Sequence, residues 1–199
     1  MITFEPQEFL YNQLGFIRVC GVDEAGRGPL AGDVYAAAVI LPVGASIASL
    51  NDSKKLTPKK RDLLFDEIQR TAICFAIASA TAEEIDRINI LQAALLAMRR
   101  AVDALQPAAD FALIDGNQKP RLAIPCETLV KGDARCASIA AASILAKVAR
   151  DRAMDELDAR YPGYGFAKHK GYPTVEHYAS IARLGVSPVH RKSFTLFRP

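Results

Sequence analysis

Four acidic residues follow short apolar segments of the chain, in places where a carboxylate can do chemistry. Asp23 and Glu24 come directly after the apolar run IRVCGV. Asp115 follows FALI, and Asp133 follows ETLVKG. Burying a carboxylate costs free energy unless it is paired, hydrogen-bonded or bound to a metal ion. One such acid is typical of an ordinary turn, because Asp next to Gly is a common turn sequence. Four together indicate a shared site.

An all-oxygen set of ligands predicts the kind of ion that such a site would hold. If the four acids converge, they suit Mg²⁺ or Mn²⁺ rather than zinc. Several carboxylates suit two ions about 4 Å apart, which stabilise the attacking and leaving oxygens of a displacement at phosphorus. A zinc site is not expected, since no two cysteines have the C-x-x-C spacing and the histidines lie 8 and 13 residues apart. These residues are Cys20, Cys74, Cys126 and Cys136, and His169, His177 and His190.

A fifth acid, Asp151, is not expected to join the metal site. It lies 18 residues after Asp133, on a predicted helix that begins near Ser138. At 1.5 Å of rise per residue, Asp151 lies about 20 Å from the start of that helix. We expect Asp151 to form an ion pair in the surroundings of Arg150 or Arg152.

The four acids can meet only if strands bring them to one edge of a sheet. Apolar periodicity and turn residues predict strands over 17–22, 34–41, 72–80, 111–114 and 127–130, and helices over 58–70, 81–105, 138–159 and 174–184. The first two strands are too close in sequence for a crossover helix and should be antiparallel neighbours. The first helix should bury Leu63, Leu64 and Ile68, and the second should bury the stripe Ile85, Ile88, Leu91, Leu95 and Met98. This order predicts an α/β fold with one mixed sheet flanked by helices.

Charge is distributed unevenly along the 199 residues, although the net charge is only +3. Residues 160–199 hold seven basic residues and one acid, whereas residues 1–159 hold 18 basic and 21 acidic residues. A basic segment on a mildly acidic body favours a polyanionic partner, with a solvated lysine-rich surface as the alternative. The length predicts one domain, or one domain with a small appendage. From the positions of the acids and of the basic residues we expect a catalytic domain over residues 1–160, with a small basic helical segment, 161–199, packed on it and contributing to substrate binding.

Composition excludes several classes of protein. Half of the residues are apolar and 24% are charged, which excludes a highly charged disordered chain. The N-terminus has no basic region followed by an apolar run, and the longest apolar stretches are far shorter than a membrane span. We therefore expect a reduced, soluble, cytoplasmic protein with no membrane partner. A monomer is expected because no heptad pattern is visible.

Several segments together resemble the signature motifs of the ribonuclease HII family. They are 22–32 (VDEAGRGPLAG), 52–56 (DSKKL), 114–117 (IDGN), 131–133 (KGD) with 138–148, 164–172 ending in HKGY, and 185–191 (GVSPVHR). The resemblance covers residues 17 to 194 and implies a ribonuclease H-like fold and a metal-dependent endoribonuclease. Its implied partners are RNA–DNA hybrids, cut in the RNA strand, and DNA duplexes containing ribonucleotides, incised 5′ to the ribonucleotide. Such an activity belongs to DNA replication and ribonucleotide excision repair.

The resemblance also implies roles for individual residues. The four acids would be the metal-binding catalytic residues. Gly26, Arg27 and Gly28 would sense the ribose 2′-hydroxyl, largely with backbone groups, and Tyr172 would stack on the following deoxyribose. Physical chemistry agrees, because the 2′-hydroxyl is what distinguishes RNA from DNA and glycine lets a backbone approach closely. Attack by metal-activated water predicts 5′-phosphate and 3′-hydroxyl ends.

Two basic positions near the acids have two interpretations each. Lys54, with its neighbour Lys55, either contacts the nucleic-acid backbone or lies in a solvated loop. Arg27 is either a phosphate clamp or a partner for the neighbouring carboxylates. Residue type and spacing do not separate these interpretations.

The C-terminal motifs also leave alternatives open. Tyr172 either stacks on substrate or anchors its loop, and the cationic side chains around it favour substrate. His190 and Arg191 either hold a phosphate or pin the C-terminal tail. That tail, residues 193–197, either packs on the body or binds a partner.

Two other functions compete with the metal-dependent ribonuclease. A non-catalytic nucleic-acid-binding module would explain the basic C-terminal segment, but it would not need four acids. Another nuclease of the same fold would need the acids, but not a Gly-Arg-Gly turn beside them or the distant Tyr172.

Overall fold

The computed structural model describes residues 11, 13–45, 47, 50 and 56–197. From residue 19 onward the elements are β1 (Val19–Ala25), β2 (Val34–Ile40), α1 (Pro58–Thr71), β3 (Cys74–Ala80), α2 (Ala82–Asp103), β4 (Phe111–Asp115), β5 (Cys126–Leu129), a 3₁₀ turn (Gly132–Ala134), α3 (Ala137–Arg160), α4 (Phe166–His169) and α5 (Val175–Leu184). The predicted α/β fold, with one mixed sheet flanked by helices, is confirmed.

The strand order of the sheet brings acids from distant parts of the sequence to one edge. The order is β3-β2-β1-β4-β5, with β1 antiparallel to β2 as predicted and parallel to β4. In the parallel register Val22 pairs with Ile114, so Asp23 and Asp115 are the next residues on adjacent strands. Since parallel strands end at the same edge of a sheet, this pairing is what places the two carboxylates side by side.

Helices α2 and α3 cover opposite faces of the sheet and bury two apolar clusters. The close approach of α3 to β1 depends on Gly21. A Cβ atom on this residue would lie 2.3 Å from the backbone nitrogen of Ile139, so a larger side chain would push the helix away. The consequence for the site is that α3 brings Ser143 within hydrogen-bonding reach of Asp23.

The first strand is longer than predicted and contains two of the acids. Asp23 lies opposite Ala37 and Glu24 lies opposite Ala36 in the antiparallel pairing with β2. The expectation that the strand ends at Val22 is therefore wrong. Continued backbone pairing holds both residues in extended conformation, which fixes their carboxylates more firmly than a turn would.

Burial in two helices also differs from the prediction. Leu63 of α1 is 62% exposed, and Phe65 is buried in its place. In α2 the predicted residues Ile85 and Met98 are buried, but Ile88, Leu91 and Leu95 are only partly buried. For Leu91 and Leu95 the reason lies at Asn89, whose backbone has φ of 66° and interrupts the helix, so the residues beyond it present a face rich in alanine to the sheet.

The C-terminal tail packs largely on the body of the protein. Leu196 is buried with Leu30 and Ile181, and Phe194 contacts the apolar cluster under α2. Phe197 remains 60% exposed. Within the described ranges, no helix combines the length and the apolar character needed to span a membrane.

Candidate active site

Asp23 is a buried carboxylate surrounded by other acids. Its side chain lies in β1, and the residue is only 5% exposed. Burial raises the pKa of Asp23 well above its usual value, and the negative charges of Glu24 and Asp115 raise it further. The hydroxyl of Ser143 and the backbone N–H of Glu24, 2.6 Å from Oδ1, act in the opposite direction. The net environment favours a proton or a bound cation at this carboxylate.

Asp115 connects the end of β4 to the turn that carries Asp133. The backbone N–H of Gly132 donates to Oδ1 of Asp115 over 2.7 Å. Asp133 is the next residue, in the 3₁₀ turn after β5, and is 8% exposed. The turn begins after Lys131, whose left-handed backbone (φ 56°) redirects the chain toward the edge of the sheet. Asp115 thus binds the backbone of the segment that supplies the fourth acid.

The four acids fit a hard divalent cation, but they do not form a closed cage. No group of three or more His, Cys, Asp or Glu side chains in the described part of the chain is arranged to hold a metal ion as it stands. Mg²⁺ is commonly bound through one or two carboxylates, water and the phosphates of a substrate, rather than by protein ligands alone. The buried, like-charged set around Asp23 supplies that kind of donor.

Glu24 connects the acids to a second part of the site. On one side it lines a cavity of about 90 Å³ with residues 115–118 and α2. On the other side it lines a cleft of about 260 Å³, which we call the recognition cleft. The rest of that cleft is formed by residues 25–28, Ser143, Lys147 and Tyr172. The structure therefore brings Glu24 and Asp115, the Gly-Arg-Gly turn (residues 26–28) and Tyr172 to two adjoining cavities that share Glu24.

The Gly-Arg-Gly turn requires glycine at its first position. Gly26 has φ of +100°, and a Cβ atom there would lie 2.1 Å from Nε of Arg150. Arg27 pairs with Glu24 over 3.3 Å, and its side chain is 50% exposed. The pairing with a neighbouring carboxylate is one of its two predicted roles, and the exposed half of the side chain stays accessible.

Arg191 holds the Gly-Arg-Gly turn from below, a role that the sequence did not indicate. It is fully buried and donates to the carbonyl oxygens of Gly26 (2.6 Å), Arg27 (3.0 Å), Pro29 (2.7 Å) and Gly32 (2.9 Å). Burial and the charge of the nearby Arg150 lower its pKa to about 9. Arg191 therefore does not reach a phosphate at the surface. Its bonds also attach the C-terminal segment to the body, and its guanidinium lies 5.3 Å from the ring centre of Phe194 in the tail.

Arg150 is the second buried arginine behind the turn. Its guanidinium donates to the carbonyl oxygens of Ala31 (3.3 Å), Asp33 (3.3 Å) and Lys170 (3.0 Å). Burial lowers its pKa. It thus ties the segment after the turn to the loop that carries Tyr172. A sequence cannot show that an arginine is buried against carbonyl groups, because the acceptors come from several distant segments.

Tyr172 stands at the far wall of the recognition cleft. The residue is 42% exposed, and its ring lies over Gly28, where a Cβ atom would be 3.7 Å from the ring. The ammonium of Lys147 and the guanidinium of Arg150 lie 6.0 and 5.9 Å from the ring centre. Lys54 and Lys55 lie outside the described residues.

Asp151 forms ion pairs, as expected, but not with the residues expected. It lies 2.7 Å from Nζ of Lys147 and 3.7 Å from Arg61. Arg152 instead pairs with Asp62 at 3.2 Å. The difference follows from the helix, which places residues four apart on the same face and neighbours in sequence on different faces.

Comparisons with known proteins agree on one family. The family model described as Ribonuclease HII matches residues 20–197. The chain is 62% identical over 176 residues to Ribonuclease HII of Dechloromonas aromatica (strain RCB), covering 88% of this chain and 90% of that protein. The four acids, the Gly-Arg-Gly turn and Tyr172 all fall within the matched residues.

Solved structures agree on the fold. The ribonuclease H2 of Pyrococcus horikoshii OT3 superimposes with a TM-score of 0.75 and 26% identity, covering 90% of this chain and 95% of that one. Bst-RNase HIII in complex with Mn²⁺ superimposes with a TM-score of 0.74 and 22% identity, covering 96% of this chain and 71% of that one.

Proposed function

The chain belongs to the ribonuclease HII family of metal-dependent endoribonucleases, and we propose that it cuts the RNA strand of RNA–DNA hybrids and incises duplex DNA 5′ to a single ribonucleotide. One observation carries this proposal. The recognition cleft joins a carboxylate of the acid site, Glu24, to the backbone of the Gly-Arg-Gly turn and to Tyr172. A nuclease for DNA alone would have no use for a rigid backbone turn placed to read a sugar hydroxyl beside the acids.

In this proposal Asp23, Glu24, Asp115 and Asp133 hold two Mg²⁺ or Mn²⁺ ions together with a substrate phosphate. Bound ions supply a water of lowered pKa and stabilise negative charge at phosphorus. The Mn²⁺ complex of Bst-RNase HIII supports the choice of metal. Because water rather than the 2′-hydroxyl attacks, the products carry 5′-phosphate and 3′-hydroxyl ends.

The protein's own groups orient the acids. The hydroxyl of Ser143 and the N–H of Glu24 bind the carboxylate of Asp23, and the N–H of Gly132 binds that of Asp115. These bonds limit the rotation of each carboxylate and so reduce the reorganisation needed when an ion and a phosphate arrive.

Recognition is assigned to the other end of the cleft. Gly26, Arg27 and Gly28 contact the ribose 2′-hydroxyl, and the half-exposed ring of Tyr172 stacks on the next sugar. The buried Arg191 bonds the carbonyl oxygens of Gly26 and Arg27 and keeps the turn rigid, which favours a single geometry of the bound junction. Lys54 is assigned to the phosphate backbone on the family resemblance alone.

We further propose that the chain acts as a monomer in the cytoplasm, in replication and in the removal of misincorporated ribonucleotides. All four cysteines are free, which suits a reducing compartment. The partners are hybrid and ribonucleotide-containing duplexes, with the exposed basic residues of the 161–199 segment, Lys168, Arg183 and Lys192, adding phosphate contacts.

The test is a cleavage assay with three end-labelled duplexes and Mg²⁺ or Mn²⁺. The substrates are an RNA–DNA hybrid, a DNA duplex with one ribonucleotide and the matching all-DNA duplex. We expect cleavage of the hybrid, one nick 5′ to the ribonucleotide and no cleavage of all-DNA. Cutting of the all-DNA duplex would indicate another nuclease of this fold. Salt-dependent binding without any cleavage would indicate a binding module.

A further inference from the structure

Three histidines that are distant in sequence meet inside the protein. His169, His177 and His190 are each at most 8% exposed. The rings of His169 and His177 stack with centroids 4.3 Å apart, and Nε2 of His177 lies 3.1 Å from Nε2 of His190. Within the described residues they do not form a metal-binding group. The contact between two ring nitrogens therefore calls for an explanation by hydrogen bonding.

The partners of the two rings assign their protons. The backbone N–H of Ser187 donates to Nδ1 of His190 over 3.0 Å, so in the neutral ring the proton is on Nε2. Nδ1 of His177 lies 3.0 Å from the carbonyl oxygen of Tyr172, which only accepts, so Nδ1 carries the proton of that ring. Nε2 of His190 therefore donates to Nε2 of His177. We call this path from Ser187 to Tyr172 the histidine chain.

In its neutral form the histidine chain has one arrangement of protons. A proton added to His177 would occupy Nε2 and face the Nε2–H of His190. A proton added to His190 would occupy Nδ1, where it would displace the hydrogen bond from the N–H of Ser187 and leave only the Ser187 hydroxyl oxygen, 2.7 Å away, as an acceptor. Burial, together with the charge of neighbouring rings including His169, lowers the pKa of His177 and lowers that of His190 to about 4. Both rings are thus neutral near pH 7, which keeps the chain intact.

The histidine chain ends on a backbone that needs support. Lys170 and Gly171, immediately before Tyr172, have left-handed φ values of 52° and 78°. The N–H of Tyr172 donates to the carbonyl oxygen of His169 over 2.9 Å, and its carbonyl accepts from His177. At the other end His190 precedes Arg191, which holds the Gly-Arg-Gly turn. The segment that contains His190 and Arg191 therefore supports both walls of the recognition cleft, the Gly-Arg-Gly turn directly and Tyr172 through His177.

We propose that the histidine chain positions Tyr172 for substrate recognition, and that His177 and His190 are positioning residues of this enzyme. The inference rests on the proposed function, because it takes Tyr172 as a substrate contact. His177 donates a hydrogen bond to the backbone of Tyr172, whose ring projects into the recognition cleft. Loss of the donor should loosen the ring without touching the acids.

The test uses steady-state cleavage of a duplex with one ribonucleotide. His177→Phe keeps a flat ring but removes both hydrogen bonds, whereas His177→Asn keeps a donor near the position of Nδ1. Tyr172→Ala removes the contact itself. Phe166→Leu is the matched control, because Phe166 is fully buried against the same rings but makes no side-chain hydrogen bond.

We expect His177→Phe to raise KM about tenfold, with kcat within about twofold of the original. His177→Asn should recover most of this loss, and Phe166→Leu should lower only the stability.

The double variant His177→Phe/Tyr172→Ala separates the positioning role of His177 from the proposed role of Tyr172. If His177 acts through Tyr172, then His177→Phe adds no further rise in KM to Tyr172→Ala. Additive effects, or an equal rise in KM for Phe166→Leu, would overturn the positioning role. An unchanged KM for His177→Phe alongside a raised KM for Tyr172→Ala would do the same and leave the proposed function intact. If Tyr172→Ala has no effect, the proposed role of Tyr172 is wrong.

A measurement on the unaltered protein covers the case in which His177→Phe does not fold. ¹⁵N NMR distinguishes the two neutral tautomers of histidine. We expect the proton on Nδ1 of His177 and on Nε2 of His190 at pH 7. The opposite tautomer at either ring would overturn the histidine chain.

Discussion

The acid site and the Gly-Arg-Gly turn lie side by side, but they are held by opposite means. Asp23 is buried among like charges from Glu24 and Asp115, and its pKa is raised. The turn instead rests on the buried cation Arg191, whose hydrogen bonds go to backbone carbonyls, and packs against the side chain of the buried Arg150. We expect the first region to gain stability when a cation arrives, whereas the hydrogen bonds of Arg191 to the second are already made in the free protein. The two regions should therefore respond differently to the same kind of perturbation.

The largest difference should appear when one acid is neutralised. Asp115→Asn keeps an oxygen for the N–H of Gly132 but removes a metal-binding charge. We expect kcat for hybrid cleavage to fall by about 10³-fold or more, equivalent to about 4 kcal/mol of lost transition-state stabilisation. Stability should not fall, because a like charge beside Asp23 is removed. Initial rates and thermal denaturation measure the two effects.

The matched control for Asp115→Asn is Asp62→Asn. Asp62 lies at the surface, where it pairs with Arg152. This variant should cut hybrids at the original rate. Fluorescence anisotropy without divalent metal should find that both variants still bind the hybrid. Retained turnover in Asp115→Asn would remove this residue from the catalytic set.

The turn should respond to substitution through its stability. Gly26→Ala places a methyl group 2.1 Å from Nε of the buried Arg150, at φ of +100°. We expect a loss of about 2–4 kcal/mol in the free energy of unfolding, together with impaired cleavage. Gly44→Ala is the control, because Gly44 also has a left-handed φ (+76°) but nothing within 4 Å of its Cβ position. Its loss should be about 1 kcal/mol, measured by urea denaturation. Equal losses would show that backbone strain alone explains Gly26.

Local signals in the sequence predict the acids, whereas the long-range contacts that support the Gly-Arg-Gly turn leave no such signal. Asp115 and the pairing of the first two strands follow from local signals, namely an apolar run before an acid and a short connection. Arg191 could not be assigned, because its four acceptors lie about 160 residues earlier in the chain. Ser143 is one hydroxyl in an alanine-rich helix, and only the approach of α3 at Gly21 reveals its partner.

The burial predicted for part of α2 was wrong because the helix is interrupted. The buried stripe assigned to α2 assumed a continuous helix, but the left-handed Asn89 interrupts it. Its side chain accepts from the N–H of Gln92 over 3.1 Å and so caps the second segment. The histidine contact was also missed, because spacing along one helix carries no information about residues from three different segments.

A third prediction concerns the loss of stability at acidic pH that the protonation of His190 should cause. His190 has a folded pKa of about 4, below the value of 6.5 for an unfolded histidine, so the unfolded chain binds its proton first. Its contribution to stability is therefore full above pH 6.5 and is lost as the pH falls toward 4. We expect the free energy of unfolding to fall by about 1–3 kcal/mol across this window. Urea denaturation at a series of pH values measures it.

His190→Gln provides the reference for the pH series. Glutamine keeps a donor toward His177 but does not titrate. The comparison is needed because other groups also titrate. The pKa of Asp23 is raised in the folded state, so protonation of Asp23 stabilises the folded protein as the pH falls, which opposes the effect of His190. Glu84, whose pKa Arg100 lowers to about 2, contributes mainly below pH 4.5. The difference between the two proteins should therefore change with pH between 4.5 and 6.5, and parallel curves would exclude His190 as the cause.

The smallest expected effect is the rise in Tm on adding Mg²⁺, which should depend on the acid site and not on the Gly-Arg-Gly turn. Because no described set of acids encloses an ion, metal affinity without substrate should be weak, with Kd of about 1 mM. At about 10 mM Mg²⁺ the folded state then gains about 1.4 kcal/mol, which raises Tm by about 3–6 °C. Asp115→Asn should lose most of this shift. Gly26→Ala should retain it in full despite its lower starting Tm, because the turn contributes no metal ligand. A shift that disappears in Gly26→Ala but persists in Asp115→Asn would mean that the ion binds at the recognition cleft instead.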